Sequence, residues 1–140
     1  MGIVTGGAGD DVLIGNTGST VDGGAGNDQM FGNFGGVVTG GDGNDNMQGN
    51  VGFIVDGGAG DDFMAGNLGV LVEGGAGNDT MLGNAGLFVD GGDGNDNMQG
   101  NFGLLSVTGG AGDDFLAHNF GGALVDGGAG NDILFDNHTF

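Results

Sequence analysis

Residues 57–65 read Gly-Gly-Ala-Gly-Asp-Asp-Phe-Met-Ala, and this stretch decides the fold because its pattern returns eight times along the 140-residue chain. Every copy fits Gly-Gly-x-Gly-x-Asp-x-U-x, where x is any residue and U is an apolar residue. The copies begin at Gly6, Gly23, Gly40, Gly57, Gly74, Gly91, Gly109 and Gly127. Repetition at a fixed period indicates a solenoid, in which each repeat packs against its neighbours.

The spacing of the copies shows how each coil is built. Successive Gly-Gly pairs lie 17 residues apart in the first five intervals and 18 apart in the last two, about twice the nonapeptide. Each coil therefore has two half-turns, the second of which reads Gly-Asn-x-Gly before a short apolar run that ends in Val. Each half-turn predicts a Gly-rich turn and about three residues of strand with period-two alternation. We expect an all-β, right-handed parallel β-roll of eight coils, without helices.

The nonapeptide resembles the hemolysin-type calcium-binding repeats of RTX proteins, and the resemblance covers nearly the whole chain. It implies a β-roll in which Ca²⁺ ions lie between consecutive turns. We expect residues 1–140 to form a single domain of this kind without recognisable caps.

Two columns of apolar side chains are predicted to form the core. The U position is expected to face inward in every coil, at Leu13, Met30, Met47, Met64, Met81, Met98, Leu116 and Leu134. The opposing column consists of Val21, Val38, Val55, Val72, Val89, Val107 and Val125. The methionines are interpreted as packing rather than as a metal or redox site, because flexible thioethers fill a narrow interior.

The second half-turn has lost the motif Asp, which predicts calcium turns on one edge only. Apolar residues are expected to take the inward place of that Asp, at Phe53, Val70, Leu87, Leu105 and Ala123. An Asn recurs on this edge at 16, 33, 50, 67, 84, 101, 119 and 137. Because an amide can both donate and accept, we interpret this column as a hydrogen-bond ladder rather than a row of ligands.

The charge balance points to a cation from solution. The chain has a net charge of −19 and no Lys or Arg, so no internal salt bridge with either residue can neutralise its carboxylates. Binding to nucleic acid or to an anionic membrane is disfavoured for the same reason. Motif carboxylates stacked at ~4.8 Å repel one another. A hard cation with many oxygen ligands removes this repulsion, and Ca²⁺ fits better than Mg²⁺, which demands a stricter octahedron.

The family pattern, carried over position by position, implies the ligands. Each ion is expected between two coils, held by the motif Asp of each coil and by carbonyls of the turn glycines. The motif carboxylates are Asp11, Asp28, Asp45, Asp62, Asp79, Asp96, Asp114 and Asp132. The carbonyls are those of Gly7, Gly9, Gly24, Gly26, Gly41, Gly43, Gly58, Gly60, Gly75, Gly77, Gly92, Gly94, Gly110, Gly112, Gly128 and Gly130. Eight coils give about seven internal sites, and seven Ca²⁺ would reduce the net charge to about −5.

Other polar residues are assigned to the surface. Asp10, Asp61 and Asp113 precede the motif Asp and are expected to be displayed to solvent. Asp42 and Asp93 stand at the third motif position, where they could add an outer ligand or solvate the turn. His118 and His138 are expected to have a surface role. No nucleophile stands beside a base, and no basic residue could hold a transition-state anion, so we expect no enzyme.

The leading functional hypothesis is a secreted structural protein that folds when Ca²⁺ binds outside the cell. The resemblance implies type I secretion, since Met1-Gly2-Ile3-Val4-Thr5 lacks the features of a cleaved signal peptide. The alternative is a repeat segment of a larger exoprotein such as a protease, lipase, toxin or adhesin. An ice-binding β-roll would need a regular outward row of Thr, whereas this chain has Thr5, Thr39, Thr80 and Thr108 scattered.

The last expectation is self-assembly. The second edge has stacked apolar residues, which predicts lateral pairing of rolls. The two ends have complementary half-turns, which predicts end-to-end filaments and an additional Ca²⁺ at the junction, where Asp11 of one molecule meets Asp132 of the next. The expected assembly residues are Ile3, Val4, Phe34, Val37, Ile54, Leu71, Phe88, Phe102, Phe120, Leu124 and Phe140.

Overall fold

The computed structural model describes residues 2–140 and contains eighteen β-strands that pair in parallel, coil by coil. This confirms the predicted all-β parallel β-roll. No helix occurs within the described residues, and so none that could cross a membrane. We number the coils 1 to 8 by their Gly-Gly pairs, so that coil 1 begins at Gly6 and coil 8 at Gly127.

One sheet has eight strands and lies on the calcium-motif side. It contains the residues around the U position, and each of its strands is three residues long, as predicted. Neighbours in the stack are aligned residue for residue, so Met64 pairs with Met81. In chain order the strands are β2 Val12–Ile14, β4 Gln29–Phe31, β6 Asn46–Gln48, β8 Phe63–Ala65, β10 Thr80–Leu82, β12 Asn97–Gln99, β14 Phe115–Ala117 and β17 Ile133–Phe135.

The other sheet has ten strands, many of them longer than the three residues predicted. They are longer because parallel pairing continues through the Gly-Gly pair, where Gly41 pairs with Gly58 and Asp42 with Ala59. In chain order the strands are β1 Ile3–Ala8, β3 Thr17–Ala25, β5 Phe34–Asp42, β7 Val51–Ala59, β9 Leu71–Ala76, β11 Ala85–Asp93, β13 Phe102–Ala111, β15 Phe120–Gly121, β16 Leu124–Ala129 and β18 His138–Thr139.

The core is the predicted pair of columns. The U residues from Leu13 to Leu116 and the valines from Val21 to Val107 are all buried and form one cluster. The prediction is wrong for Leu134, which is 47% exposed, because coil 8 has no further coil packed on it. Val125 is only partly buried for the same reason.

The prediction for the inward place of the second half-turn is wrong. Phe53 is 65% exposed, Leu105 and Ala123 are also exposed, and Val70 and Leu87 are partly buried. Glycine takes the inward place instead, as Gly35 and its equivalents show. A Cβ on Gly35 would lie against the carbonyl oxygen of Val37, so the narrow corner leaves no room for a side chain there.

The 18-residue coils accommodate their extra residue as a bulge. Gly86 pairs with Gly103 and Phe88 with Ser106, so Leu87 alone lies opposite both Leu104 and Leu105. A bulge of this kind pushes the extra residue out of the ladder. The bulge lies on the second edge, and the calcium-motif edge keeps the same register in every coil.

Candidate calcium sites

The motif aspartates form a continuous buried column. The six from Asp28 to Asp114 are at most 2% exposed, while Asp11 and Asp132 at the ends are partly buried. Oδ1 of each carboxylate, from Asp28 onward, accepts a hydrogen bond of 2.7–3.0 Å from the backbone N–H of the motif Asp one coil earlier. The carboxylates therefore bind successive turns to one another.

The second carboxylate oxygen, Oδ2, is left without a hydrogen-bond partner. Within residues 2–140 this holds for the buried Oδ2 atoms of Asp11, Asp28, Asp45, Asp62, Asp79, Asp96 and Asp114. A buried polar atom of this kind is costly unless another group satisfies it. Seven coils thus each present one carboxylate oxygen that is suited to a cation.

Two oxygens crowd the first glycine of each motif. A Cβ on Gly57 would collide with Oδ2 of Asp62 and with the carbonyl oxygen of Gly74 in the next coil. The same arrangement recurs from coil 1 to coil 7, but in coil 8 only Asp132 crowds Gly127. A carboxylate oxygen and a carbonyl oxygen thus converge between two coils, and a hard cation takes oxygen ligands of both kinds.

The predicted carbonyl ligands lie in the same turns. Gly58 and Gly60 have φ values of 107° and 128°, a region that favours glycine. Their carbonyl oxygens face the Cα atoms of Gly75 and Gly77, so they point along the stack into the gap between coils 4 and 5. The other second and fourth motif glycines repeat these conformations.

Electrostatics favour a cation in this column. Burial, together with the smaller effect of neighbouring carboxylates, raises the pKa of Asp62 to about 8 and that of Asp96 to about 7. Burial likewise raises the pKa of Asp45 and of Asp79 to about 6. The hydrogen bond from the preceding coil lowers each pKa but does not cancel the effect of burial. Without a cation, a row of adjacent buried carboxylates is driven towards its protonated form.

The residues before the motif Asp form a separate ladder at the exposed tip of the turn. Asp10, Asp61 and Asp113 are exposed, as predicted. Each accepts a 2.8 Å hydrogen bond from the backbone N–H of the next coil, as Asp61 does from Asn78. Asp42 and Asp93 are also exposed, on the outside of the turn.

The asparagine column on the opposite edge is a hydrogen-bond ladder, as predicted. Nδ2 of Asn67 donates to the carbonyl oxygen of Met47 and to Oδ1 of Asn84. Oδ1 of Asn67 accepts from both the backbone N–H and Nδ2 of Asn50. The amide is buried and makes four hydrogen bonds, so it has no lone pair facing a free space. The Asn side chains of this edge thus find hydrogen-bond partners within the chain, whereas Oδ2 of the motif aspartates does not.

The two histidines are exposed at the last coils and both contact one carboxylate. Nδ1 of His118 is 3.2 Å from Oδ2 of Asp136, and Nε2 of His138 is 3.5 Å from Oδ1. His118 and Asp136 have φ values of 56° and 51° in a column where earlier coils have glycine. Within residues 2–140, no three His, Asp or Glu side chains converge to hold a metal ion. The aspartate sites therefore depend on backbone oxygens as well as carboxylates.

The structure adds one group that the sequence pattern did not reveal, the carbonyl of the first motif glycine. Gly74 and its equivalents have no positive φ, so an unusual backbone conformation does not explain why glycine stands there. Glycine is needed because a side chain would collide with its neighbours. Glycine occupies this position in all eight copies, and that regularity is the signal in the sequence that could have identified these carbonyl groups.

Comparison with known proteins agrees with this geometry. The family model described as RTX calcium-binding nonapeptide repeat (4 copies) matches residues 5–36, 37–53, 54–70, 71–86, 90–122 and 124–136. No curated protein and no solved structure matches the chain significantly. RTX nonapeptide repeats bind Ca²⁺, which suits the oxygen-lined spaces between the coils. The repeated turns, the parallel β-roll and this match together show that the chain belongs to the family of RTX calcium-binding nonapeptide repeats.

Proposed function

We propose that this chain is a secreted structural protein that folds when Ca²⁺ binds outside the cell. The observation that carries the proposal is the buried aspartate column, in which one carboxylate oxygen per coil has no partner within residues 2–140. Folding without a cation would bury adjacent charges, and the chain has no Lys or Arg to compensate them. Its 40 glycines add a large loss of backbone entropy. Metal binding and folding are therefore one event.

The expected affinity supports an extracellular location. Extracellular calcium modules bind with dissociation constants of about 10⁻⁴ to 10⁻³ M, so their sites stay empty at cytosolic concentrations. RTX repeats are typical of type I-secreted proteins, which are exported unfolded. A chain that stays unfolded until it meets Ca²⁺ suits that route.

We propose one ion in each of the seven gaps between coils. For the gap between coils 4 and 5, the ligands are the carboxylates of Asp62 and Asp79 with the carbonyls of Gly58, Gly60 and Gly74. The same five positions recur in every other gap. Within residues 2–140, Asp132 borders only the gap before it.

A calcium titration followed by circular dichroism tests the proposal. The β signal should rise cooperatively with Ca²⁺, and Mg²⁺ at the same concentration should give little of it. Calorimetry should count about seven ions per chain, one for each gap. A full β signal in excess chelator would contradict calcium-dependent folding, whereas a different ion count would change only the assignment of the gaps.

We also propose that the 140-residue chain stacks end to end. Ile3, Val12 and Ile14 are exposed at one end and Ile133, Leu134 and Phe135 at the other. A second copy that continues the register would place its Ile3 opposite Leu124 and its Asp11 next to Asp132. That contact forms an eighth gap with the same oxygens, and repetition without closure gives a filament.

Electron microscopy in millimolar Ca²⁺ tests the stacking. Filaments should form, and Asp132→Lys should shorten or dissolve them by removing the junction carboxylate. A uniform population of single rolls about 38 Å long, from eight coils at β spacing, would exclude stacking. In the alternative, a repeat segment of a larger exoprotein, flanking chain covers the same two ends, and the length of the natural gene product distinguishes the two. Thr5, Thr39 and Thr108 share one column with five acidic residues, so they do not form the continuous row of Thr that ice binding needs.

A further inference from the structure

The second edge carries a face without any charge. We call this surface the apolar face; it consists of residues 16–20, 33–37, 50–54, 67–71, 84–88, 101–106 and 119–124. None of these segments contains an acidic residue, although the chain has 19. Phe34 and Phe53 are 60% and 65% exposed, and Leu68 and Phe88 are exposed further along the stack. An uncharged surface with exposed Phe or Leu side chains in each of coils 2 to 7 is typical of an interaction site.

The apolar face is hollow in coils 1 to 4. A groove of about 720 Å³ is lined by Phe34, Phe53 and Val70 together with glycines and the residues from Thr17 to Ser19. Its glycines are Gly18, Gly35, Gly36 and Gly52. The groove exists because the glycine corners of adjacent coils stack, while the phenylalanine rings beside them project into solvent.

In coils 6 and 7 the same face contains one more residue per coil than in the coils before them. The bulge in coil 6 exposes Leu104 by 50% and Leu105 by 44%, although the single Leu87 opposite them is partly buried. Leu124 in coil 7 is also exposed, as are Phe102 and Phe120 beside it. We call these five residues the ridge.

The groove and the ridge are placed symmetrically along the roll. The groove is centred between coils 2 and 3, and the ridge between coils 6 and 7. Both centres are therefore two coils from the middle of the eight-coil stack. We propose that two copies of the chain pair through the apolar face in antiparallel orientation, with the ridge of each in the groove of the other. Such a contact is isologous and closes with two copies.

The absence of charge on the apolar face allows a second copy as the occupant. Two chains of net charge −19 repel each other, but pairing through the apolar face brings no carboxylate into the contact and keeps the acidic edges of both copies on the outside. The face is about 34 Å long and ~16 Å wide by strand geometry, which gives roughly 550 Å² per copy. This is below the ~800 Å² per partner of a standard interface, so we expect a dissociation constant of about micromolar.

Sedimentation velocity in saturating Ca²⁺ tests the pairing with charged variants at the two contact points, and every chain compared also carries Asp132→Lys so that end-to-end stacking does not obscure the dimer. Phe53→Lys in the groove and Leu105→Asp on the ridge should each weaken dimerisation by roughly 30-fold or more, because each buries an unpaired charge twice. An equimolar mixture of the two variants should form a heterodimer, since Lys then faces Asp at one contact and the native pair remains at the other. The matched control is Phe63→Lys on the outer face of the other sheet, which should dimerise like the native chain.

The pairing depends on the calcium-induced folding proposed above, so each variant is first checked by circular dichroism in Ca²⁺. A chain carrying only Asp132→Lys that folds but stays monomeric at about 100 µM would overturn the pairing, and it would leave both calcium-dependent folding and the stacking of the native chain intact. A dimer that persists in both single variants, or a mixture that does not form the heterodimer, would also overturn it. Binding of an apolar peptide or of detergent by a monomeric native chain would assign the face to another occupant.

Discussion

The backbone N–H of Asp62 donates a 2.8 Å hydrogen bond to Oδ1 of Asp79, the motif aspartate one coil further along. The other oxygen of Asp79, Oδ2, is buried and has no partner within residues 2–140. One carboxylate thus has two separable tasks. Oδ1 holds the preceding turn in register, and Oδ2 is available to a cation.

Asp79→Asn is expected to separate these tasks. The amide oxygen can still accept from Asp62, but the charge is lost, so at least one Ca²⁺ per chain should be lost while the roll still folds at higher Ca²⁺. Asp79→Ala removes both functions and should lower stability further. Calorimetric ion counts provide the measurement. The control is Asp61→Asn at the exposed tip, and an identical loss of ions there would contradict the assignment.

Asn67→Ala is expected to weaken the roll without changing its calcium stoichiometry. The change removes the Asn67 amide donor from Met47 O and the Asn67 acceptor from the Asn50 donors, while Asn84 Oδ1 keeps its bond from the backbone N–H of residue 67. Each buried group left unsatisfied costs about 1–3 kcal/mol. Guanidinium unfolding at saturating Ca²⁺ measures the loss. Asn78→Ala on the exposed tip removes a hydrogen bond to Asn95 and should cost far less. A drop in the ion count of Asn67→Ala would show that the two edges are not independent.

Gly57→Ala is expected to impair calcium binding because its methyl group would collide with Asp62 Oδ2 and Gly74 O and displace them. Overpacking of this kind costs about 1–3 kcal/mol or more. Gly66→Asn, which also adds a side chain to a glycine of the same coil, is the matched control. Gly66 has a φ of 62° and nothing within 4 Å of an added Cβ, and Asn tolerates this conformation. Calcium titrations should show a higher midpoint for the first variant only.

The pH dependence is expected to have opposite signs with and without calcium. Burial raises the pKa of Asp45, Asp62, Asp79 and Asp96 from 3.8 to about 6, 8, 6 and 7 in the metal-free roll. The folded chain therefore binds more protons than the unfolded chain between about pH 4 and 8, and its stability falls as the pH rises through that window. With Ca²⁺, protons compete for the same oxygens, so acid weakens binding.

Circular dichroism at a series of pH values checks this prediction. In excess chelator, the β signal should increase from pH 8 to pH 5, and in Ca²⁺ the midpoint concentration should increase over the same change. In excess chelator, the β signal of the variant Asp62→Asn should increase less than that of the native chain when the pH is lowered from 8 to 5. If lowering the pH favoured folding in both conditions, or opposed it in both, the aspartate column would not control folding.

The calcium-motif half of each coil could be predicted closely from the sequence. The strict nonapeptide places Asp62 and Met64 in the same surroundings as their equivalents in other coils. Local spacing therefore fixes the turn, the three-residue strand and the inward column together. The ladder of Asn67 could be predicted as well, since an amide column suits few other roles.

The second half-turn could not be predicted as well because the alternation of strand residues breaks at its corner. Gly35 and Val38 are both buried although they are three residues apart, so counting by two from Val38 selects the wrong residue. Counting by two back from Val55 likewise selects Phe53 as an inward residue. The bulge at Leu104 and the carbonyl direction of Gly74 depend on how the backbone turns in three dimensions, which residue types alone do not specify.

The uniform register of the calcium-motif edge makes the number of coils adjustable. Removing residues 57–73 would join Asp56 to Gly74 and bring Asp45 next to Asp79, in the relation that Asp45 has to Asp62 now. Each interior coil contacts only the coils before and after it, so such an excision costs one set of contacts and leaves the rest unchanged. A gene for this chain can therefore lengthen or shorten by whole coils through unequal recombination, with roll length varying while the chemistry of each remaining turn stays constant.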